Sequence, residues 1–566
     1  MLAPLKVEDR VALYAQHILD KIPRVIGMID RETFSRTSGC MDRTYWSWKF
    51  TDFPGARFQE GVCALAYVWS GLDSEAEYAR NPALLRWIEC ALRFWLRIQR
   101  PAGDFDEAYP FERSLAATSF STFYVAEAWR TLSAHDALPQ LEDELLSGVS
   151  RAADWLTVND ETHGFLSNHL AAAAGALLHA GTMCSEVRYL ERGAYFLDKI
   201  LAHQSDEGWY EEYGGADPGY QTHGSFYLAR CNELVPDERL VESLRKANDF
   251  AANFVHPDGS YSGEYASRNT QTYYPAAYEM SAAYCRSAVW IAAHMASGVE
   301  THRSVGVKSV DVYNLYPMLN NYVFAHRAAS SSVPSVPALS PSTEPVLIFP
   351  AAGIVKIQTR TFSAFFGTKK GGVLKVFSRP DGSMLMSDCG YVGRLGSGQI
   401  VSSQTQQNDI PTQIRQGEIR ISGRFFSVSR PVMAPVRFIG FRVFNLTFGR
   451  LKHISYWLKS LLVKFLIYRK SELDIRYERV LCWDEDQLVL SDNLTGSDLV
   501  RLTELRRGEQ FTTIHMGSAR YFVPNELIAD APEVLQIGGA ELRLENKLFP
   551  AASIATETGQ YSGEIT

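Results

Sequence analysis

The 566 residues predict an α+β, multidomain architecture: an N-terminal incomplete α/α toroid of about five or six hairpins, then a C-terminal antiparallel β-sandwich. Three observations carry this. First, about every fifty residues a glycine, an aromatic residue and a polar cluster interrupt helical pattern. The occurrences are Gly103-Asp-Phe105-Asp-Glu107, Gly164-Phe165-Leu-Ser-Asn168-His169, Gly208-Trp209-Tyr210-Glu211-Glu212 and Gly259-Ser-Tyr261-Ser-Gly263-Glu264. A two-helix unit of that length buries its apolar stripe only by stacking on its neighbours, and the turns then fall on one rim. Second, residues 328–345 are rich in Ser and Pro and read as a linker. Third, the apolar period changes there from helical to alternating.

The elements follow in order. Helical pattern fills about residues 8–300, and the toroid is assigned 1–327. Asn81-Pro82 marks a helix start, with proline just inside it. Residues 170–180 are nearly all alanine and leucine, as an inner helix crowded on both sides requires. The sandwich is assigned 346–566, with alternating strands at 355–362, 418–428 and 473–481. Residues 449–470 break the strand pattern. As a helix they place Leu451, Ile454, Trp457, Leu458, Leu461, Leu462 and Phe465 on one broad side and Lys452, Lys459 and Lys470 towards another. Such a helix lies in an anionic membrane interface or packs on the sandwich.

Composition narrows the function classes. Charged residues are 21% and apolar residues 46%, which excludes a disordered or collagen-like chain. The net charge of −8 is uneven: residues 1–300 hold 26 Lys/Arg against 41 Asp/Glu, and residues 351–470 hold 19 against 4. That cationic block fits a polyanion, an anionic membrane surface or an arginine-rich solvated sheet face. The start, Met1-Leu-Ala-Pro-Leu-Lys, lacks a basic, then apolar, export leader, so a cytoplasmic protein is expected, with peripheral attachment at the inner membrane face through 449–470 as a further option. Eight scattered cysteines fit reduced thiols better than disulfides or zinc. His163 and His169 have ligand spacing but lack a third ligand, so no metal is expected, and no motif calls for a cofactor or nucleic acid.

Candidate chemistry sits on the rim. Asn168-His169 opens an inner helix, where backbone N–H groups favour a substrate carboxylate. One repeat later, glycines around Asp217-Pro218 present Tyr220, and Arg268 and Asn269 come from the next repeat. Removing the C5 proton of a uronic acid needs a neutralised carboxylate, a base, and an acid for the departing 4-oxygen. Asn168 suits the first, His169 or Tyr220 the second, and Tyr220 the third. Trp46 and Trp48 offer flat faces for sugar stacking, and Glu211 is a further rim contact.

These residues resemble the heparinase II/III-like and alginate lyase-like enzymes, in which an incomplete α/α toroid precedes an antiparallel β-sandwich. The resemblance spans most of the chain in architecture. It implies that Asn168 neutralises the carboxylate, that His169 is the base or its helper, and that Tyr220 is the catalytic tyrosine. It also implies an acidic polysaccharide as partner. A related group of uronyl C5-epimerases shares scaffold and proton abstraction. In the family the sandwich usually adds a histidine; here the comparable stretch reads Lys369-Lys-Gly-Gly-Val-Leu-Lys-Val-Phe377. Lys370 or Lys375 takes that place, His326 or His515 approaches from elsewhere, or the step is lost. The function expected is β-elimination, with three alternatives: epimerisation, glycoside hydrolysis by rim carboxylates (Asp104, Asp106, Glu107, Glu211, Glu212, Asp217, Glu264), and glycan binding without chemistry.

Overall fold

In the computed structural model, residues 2–72, 77–161, 164–331, 335–428, 434–463, 471–508, 521–527, 533–537 and 539–548 are described. Among the described residues thirteen α-helices build the N-terminal part: α1 (Val7–Leu19), α2 (Ile22–Met28), α3 (Val62–Gly71), α4 (Pro82–Ile98), α5 (Leu115–Ser133), α6 (Glu142–Thr157), α7 (Ser167–Cys184), α8 (Val187–Ala202), α9 (Pro218–Leu234), α10 (Glu238–Ala251), α11 (Ala276–Ser281), α12 (Arg286–Glu300) and α13 (Val312–Ala329). Helices α3, α5, α7, α9, α11 and α13 form the inner ring, and α1, α4, α6, α8, α10 and α12 pack outside it. The starts are capped as their sequences require: Asn81 accepts from Ala83 and Leu84, Ser114 from Ala117, and Asp217 from Tyr220. In α7 every residue from Leu170 to Gly181 is buried, the alanines letting neighbours approach on both sides. Asn320 on α13 accepts from the Ala64 N–H at 3.1 Å and donates to the Glu60 carbonyl at 2.9 Å, tying the last inner helix to the first.

The turn glycines have a physical role that their spacing alone does not reveal. Gly103 has φ 98°, and a Cβ there would lie 2.0 Å from the Arg151 carbonyl oxygen on α6; Gly208 has φ 101° and meets the Lys246 carbonyl of α10 at 2.3 Å. Each turn therefore butts against the next outer helix, which only glycine permits. A glutamine locks each junction. Gln99 donates to the carbonyls of Gly103 and Gly148 at 3.2 and 2.8 Å, and Gln204 to those of Gly208 and Ser243, both at 2.9 Å.

The C-terminal part has two sheets in which every pair is antiparallel. The first contains β1 (Val346–Phe349), β2 (Ile354–Gln358), β3 (Phe362–Gly367), β4 (Val373–Ser378) and β5 (Met384–Asp388) in chain order. The second contains β6 (Tyr391–Leu395), β7 (Ile400–Ser402), β8 (Thr412–Arg415), β9 (Glu418–Val428), β10 (Glu472–Trp483), β11 (Leu488–Thr495), β12 (Leu502–Arg507), β13 (Glu533–Leu535) and β14 (Glu541–Leu548). Its order is β13-β12-β6-β7-β9-β10-β11-β14, with β8 beside β9.

The first sheet is covered on both faces. Val355, Ile357, Ala364, Phe366, Leu374 and Val376 face the second sheet, while Ile354, Phe365, Val373 and Phe377 join the toroid core. Strands β3 and β4 are therefore buried throughout and carry no polar alternation. Helix α13 runs to Ala329, and beyond it the N–H groups of Val336 and Leu339 bond to the carbonyls of Ala282 and Arg286, laying the Pro-rich segment along the toroid.

The basic segment differs in part from its sequence reading. Two helices, α14 (Pro435–Thr447) and α15 (Lys452–Val463), leave the sheet between β9 and β10, and only the second was expected. Residues 464–470, with Phe465 and Lys470, lie outside the described residues. Among the described residues no helix is long and apolar enough to cross a membrane.

Candidate active site

The N-terminal ends of the inner helices supply the site. At α7, Asn168 is buried, and its backbone N–H and side-chain Nδ2 both donate to Glu212 Oε1, at 3.1 and 2.7 Å. Glu212 reaches this point because residues 211–212 bridge to Leu166 and Ala216 as short antiparallel contacts. Its other oxygen accepts from Arg268 Nη1 at 3.2 Å. Burial pushes the Glu212 carboxyl up, against the opposing pull of Arg268 and Asn168. Burial works against the charge of the Arg268 guanidinium, and the neighbouring carboxylates Glu212 and Asp217 hold it charged.

At α9, Asp217 caps the helix by accepting from the Tyr220 N–H at 3.1 Å, and Pro218 fixes its first turn. Gly219 permits the close approach of the 267–272 loop, since a Cβ there would meet the Thr270 carbonyl at 2.4 Å. The guanidinium carbon of Arg268 consequently lies 3.8 Å from the centroid of the half-buried Tyr220 ring and 4.8 Å from that of Tyr213. A continuous set of contacts thus runs Asn168–Glu212–Arg268–Tyr220.

His169 extends it on the other side. Half-buried, it holds Glu161 Oε2 at 2.7 Å through Nδ1 and stands edge-on to Phe120, centroids 5.6 Å apart. Phe120 carries Arg57 over its face at 4.5 Å, and Arg57 pairs with Glu60 at 2.7 Å and Glu107 at 3.4 Å. His223, one turn after Tyr220, stacks on Tyr274 at 4.2 Å with its Nε2 3.1 Å from the Tyr227 hydroxyl. The C-terminal half roofs this floor. Gln406 lies against Gly215, and Tyr521 is near enough to Tyr274 and Tyr220 for their charges to add to burial in raising its phenol.

Several expected residues are placed differently. Lys370 is buried and donates to the Ser267 carbonyl at 2.5 Å, and Lys375 is buried against Glu264 at 2.6 Å. Both clamp the sandwich onto the loop that bears Arg268. Asn269 is buried with φ 63°, in the left-handed region that asparagine tolerates. Glu211 contributes its carbonyl, which accepts from the Ser167 hydroxyl at 2.9 Å. Trp46 donates to the Met28 carbonyl at 2.7 Å and Trp48 is exposed, both on the short π-helix Thr44–Trp48 rather than in the Tyr220 cluster.

The alternative histidine His326 pairs with Tyr67 at 2.9 Å in the last turn of α13, at the opposite end of the ring from the helix starts. His515 and His163 lie outside the described residues. Among the rim carboxylates, Asp104 pairs with Arg100, Asp106 accepts from the Phe111 and Arg113 N–H groups, Asp217 is a cap, and Glu264 holds Lys375. Among the described residues no three His, Cys, Asp or Glu side chains are arranged to hold a metal.

Sequence reasoning missed Glu161, Arg57, His223 and Tyr274. His223 was within reach, being three residues from Tyr220 on one helix, where side chains share a face, and so was Glu161, eight residues before His169; Arg57 and Tyr274 meet the site only through the closed ring.

Buried histidines make stability pH-dependent. Burial lowers His223 and His256 well below the ordinary imidazole value, neighbouring cations adding to it, and lowers His17 to about 4. Because the folded state favours the neutral ring, the contribution is complete above about pH 6.5 and is lost as pH falls towards the folded values. For His17 alone it amounts to roughly 3 kcal/mol. The melting temperature should therefore fall steadily from about pH 6.5 to 4; a flat profile across that window would contradict neutral burial.

No protein-family model matches the chain, and no curated protein matches it. Solved structures do. Over 88% of this chain and 67% of that one, it is similar to a Streptomyces coelicolor A3 chondroitin AC lyase in complex with chondroitin sulphate, at 11% identity and a TM-score of 0.51. It is also similar to heparinase III, at 10% identity and a TM-score of 0.47 over 88% of this chain and 72% of that one. Against a Paenibacillus xanthan lyase the figures are 9% and 0.48, this chain spanning 47% of that one's length. Together with the helical ring and the two antiparallel sheets, the match to the chondroitin AC lyase shows that this chain has a polysaccharide-lyase-like fold.

Proposed function

We propose that the protein is a carbohydrate-active enzyme that removes the C5 proton of a uronic-acid residue in an acidic polysaccharide and eliminates the 4-linked sugar. The observation that carries this is the contact set Asn168–Glu212–Arg268–Tyr220 with His169 next to Asn168. Glu212 takes one N–H from Asn168 Nδ2 and one from Arg268, setting the orientation of both groups. An amide and a guanidinium own further N–H donors, and these neutralise the uronate carboxylate. Charge developing there as C5 loses its proton is stabilised by donors already in place.

His169 is the base: Glu161 at its Nδ1 fixes the tautomer that leaves Nε2 to accept the proton. The C–H electron pair forms the C4=C5 double bond, the C4–O4 bond breaks, and the Tyr220 hydroxyl protonates the departing oxygen. The imidazolium then loses its proton to solvent and Tyr220 regains one. Return of a proton to the opposite face of C5, without loss of O4, makes the same site an epimerase.

One observation favours a second reading. The Glu212 carboxylate already takes one N–H from each of Asn168 and Arg268, which weakens the neutralisation of a uronate that elimination needs and suits a glycan-binding protein without elimination. Incubation with glucuronate-, iduronate- and mannuronate-containing polymers, followed by ultraviolet absorbance, separates the two. Elimination gives rising absorbance from unsaturated ends. A flat trace with every polymer, alongside measurable binding and no uptake of solvent deuterium at C5, leaves the second reading.

A further inference from the structure

Strands β9 and β10 pair directly, yet the chain between them leaves the sheet to form α14 and α15. One side of this pair grips the toroid rim. Phe441 meets Tyr109 edge-on at 5.2 Å, Arg442 pairs with Asp52 at 3.2 Å, Ser455 donates to the Phe111 carbonyl at 2.6 Å, and the Tyr456 hydroxyl reaches Asn159 at 2.8 Å.

The other side is apolar and open. Val436, Ile439, Val443 and Leu446 recur at helical spacing along α14, and Leu451 and Trp457 continue the surface; Val436 is 82% and Trp457 59% exposed. An apolar stripe of this continuity on a folded protein marks an interaction surface. Its flanks are cationic: Arg437, Arg450 and Lys452 are exposed. Charge decides the occupant. A second copy of the same face would oppose cation to cation, whereas an anionic lipid surface offers acyl chains to the stripe and phosphates to its borders.

We infer that the α14–α15 hairpin is an interfacial anchor that lies in the plane of an anionic bilayer, its stripe buried at the boundary between headgroups and chains. Because its inner side holds the 109–113 loop and Asn159, next to the Glu161 that holds His169, docking places the mouth of the site at the membrane surface. The anchor stands whether or not the proposed chemistry does.

The full chain, centrifuged with phosphatidylcholine vesicles in which about a third of the lipid is phosphatidylserine, should sediment with them. Binding should weaken about tenfold or more on phosphatidylcholine alone, in Arg437→Gln/Lys452→Gln, and in Ile439→Glu/Val443→Glu. These side chains are not in the core, so melting temperatures should match the parent's. Failure of the parent to sediment, or sedimentation of both variants as strongly as the parent, overturns the anchor. So does a parent that is dimeric by light scattering with a monomeric Ile439→Glu/Val443→Glu variant, which assigns the stripe to a second copy.

Discussion

Tyr220→Phe should lower turnover on a uronic-acid polymer by about 10²–10⁴-fold, the usual contribution of a positioned general acid, with polymer affinity changed only a few-fold. The substitution is informative because it is narrow. Phenylalanine keeps the ring beneath the Arg268 guanidinium, 3.8 Å from its centroid, so the stacking that orders Arg268 and, through Glu212, Asn168 is retained. The proton donor for the 4-oxygen is lost while this ring contact stays. Steady-state rates, polymer binding and calorimetry on the two proteins check this: a fall in rate with an unchanged melting temperature is the expected pattern. Unchanged turnover removes the acid role from Tyr220.

Arg479→Met should destabilise the C-terminal half by roughly 3–5 kcal/mol, the cost of leaving buried charges without their partner. Arg479 on β10 is fully buried. It binds Asp492 of β11 through two N–H groups, both at 2.7 Å, and contacts Asp388 of β5 at 3.2 Å and the Gly372 carbonyl at 2.8 Å. Tyr391 also donates to Asp492. Methionine matches the stem but leaves two buried carboxylates without their cation, Asp492 keeping only the Tyr391 hydroxyl and Asp388 the Gly390 N–H among these partners. The consequence extends to the site. Gly372 ends the β3–β4 turn whose Lys370 donates to Ser267, next to Arg268, so loosening Arg479 loosens the roof. A melting temperature lowered by roughly 10 °C or more is expected, and a shift under about 2 °C would mean that the carboxylates find other partners.

The toroid was legible because its cues are local. A capping Asn81 ahead of Pro82, the alanine-leucine run in α7 and a turn glycine at constant phase each act through neighbouring residues, and the ring follows from stacking them. Strands β9 and β10 were legible through alternation, since one face of each meets the core. Strands β3 and β4 gave no such signal because the toroid covers the face that solvent would otherwise meet. The same burial places Lys370 and Lys375, read as substrate contacts, between the two halves against Ser267 and Glu264. At the candidate site, Asn168, Tyr220 and Arg268 were singled out from turn chemistry, and the structure places them in one run of contacts through Glu212. Glu212, the partner of Asn168 and Arg268, appeared only as one of several rim carboxylates, because nothing in one dimension says that it bridges an amide and a guanidinium from different repeats. Helix α14 escaped notice since its exposed stripe is apolar, the reverse of a surface helix.

The central claim is that C5 of a uronic acid loses its proton at this cluster, and incorporation of solvent deuterium at C5 tests it most directly. With polymer in deuterated water, an enzyme that returns the proton labels C5, and one that eliminates depletes the C5 proton as unsaturated ends accumulate; Tyr220→Phe, retaining His169, should suppress elimination without suppressing binding. A polymer that binds the protein yet keeps its C5 proton and its saturated ends, however long the incubation, would contradict the account.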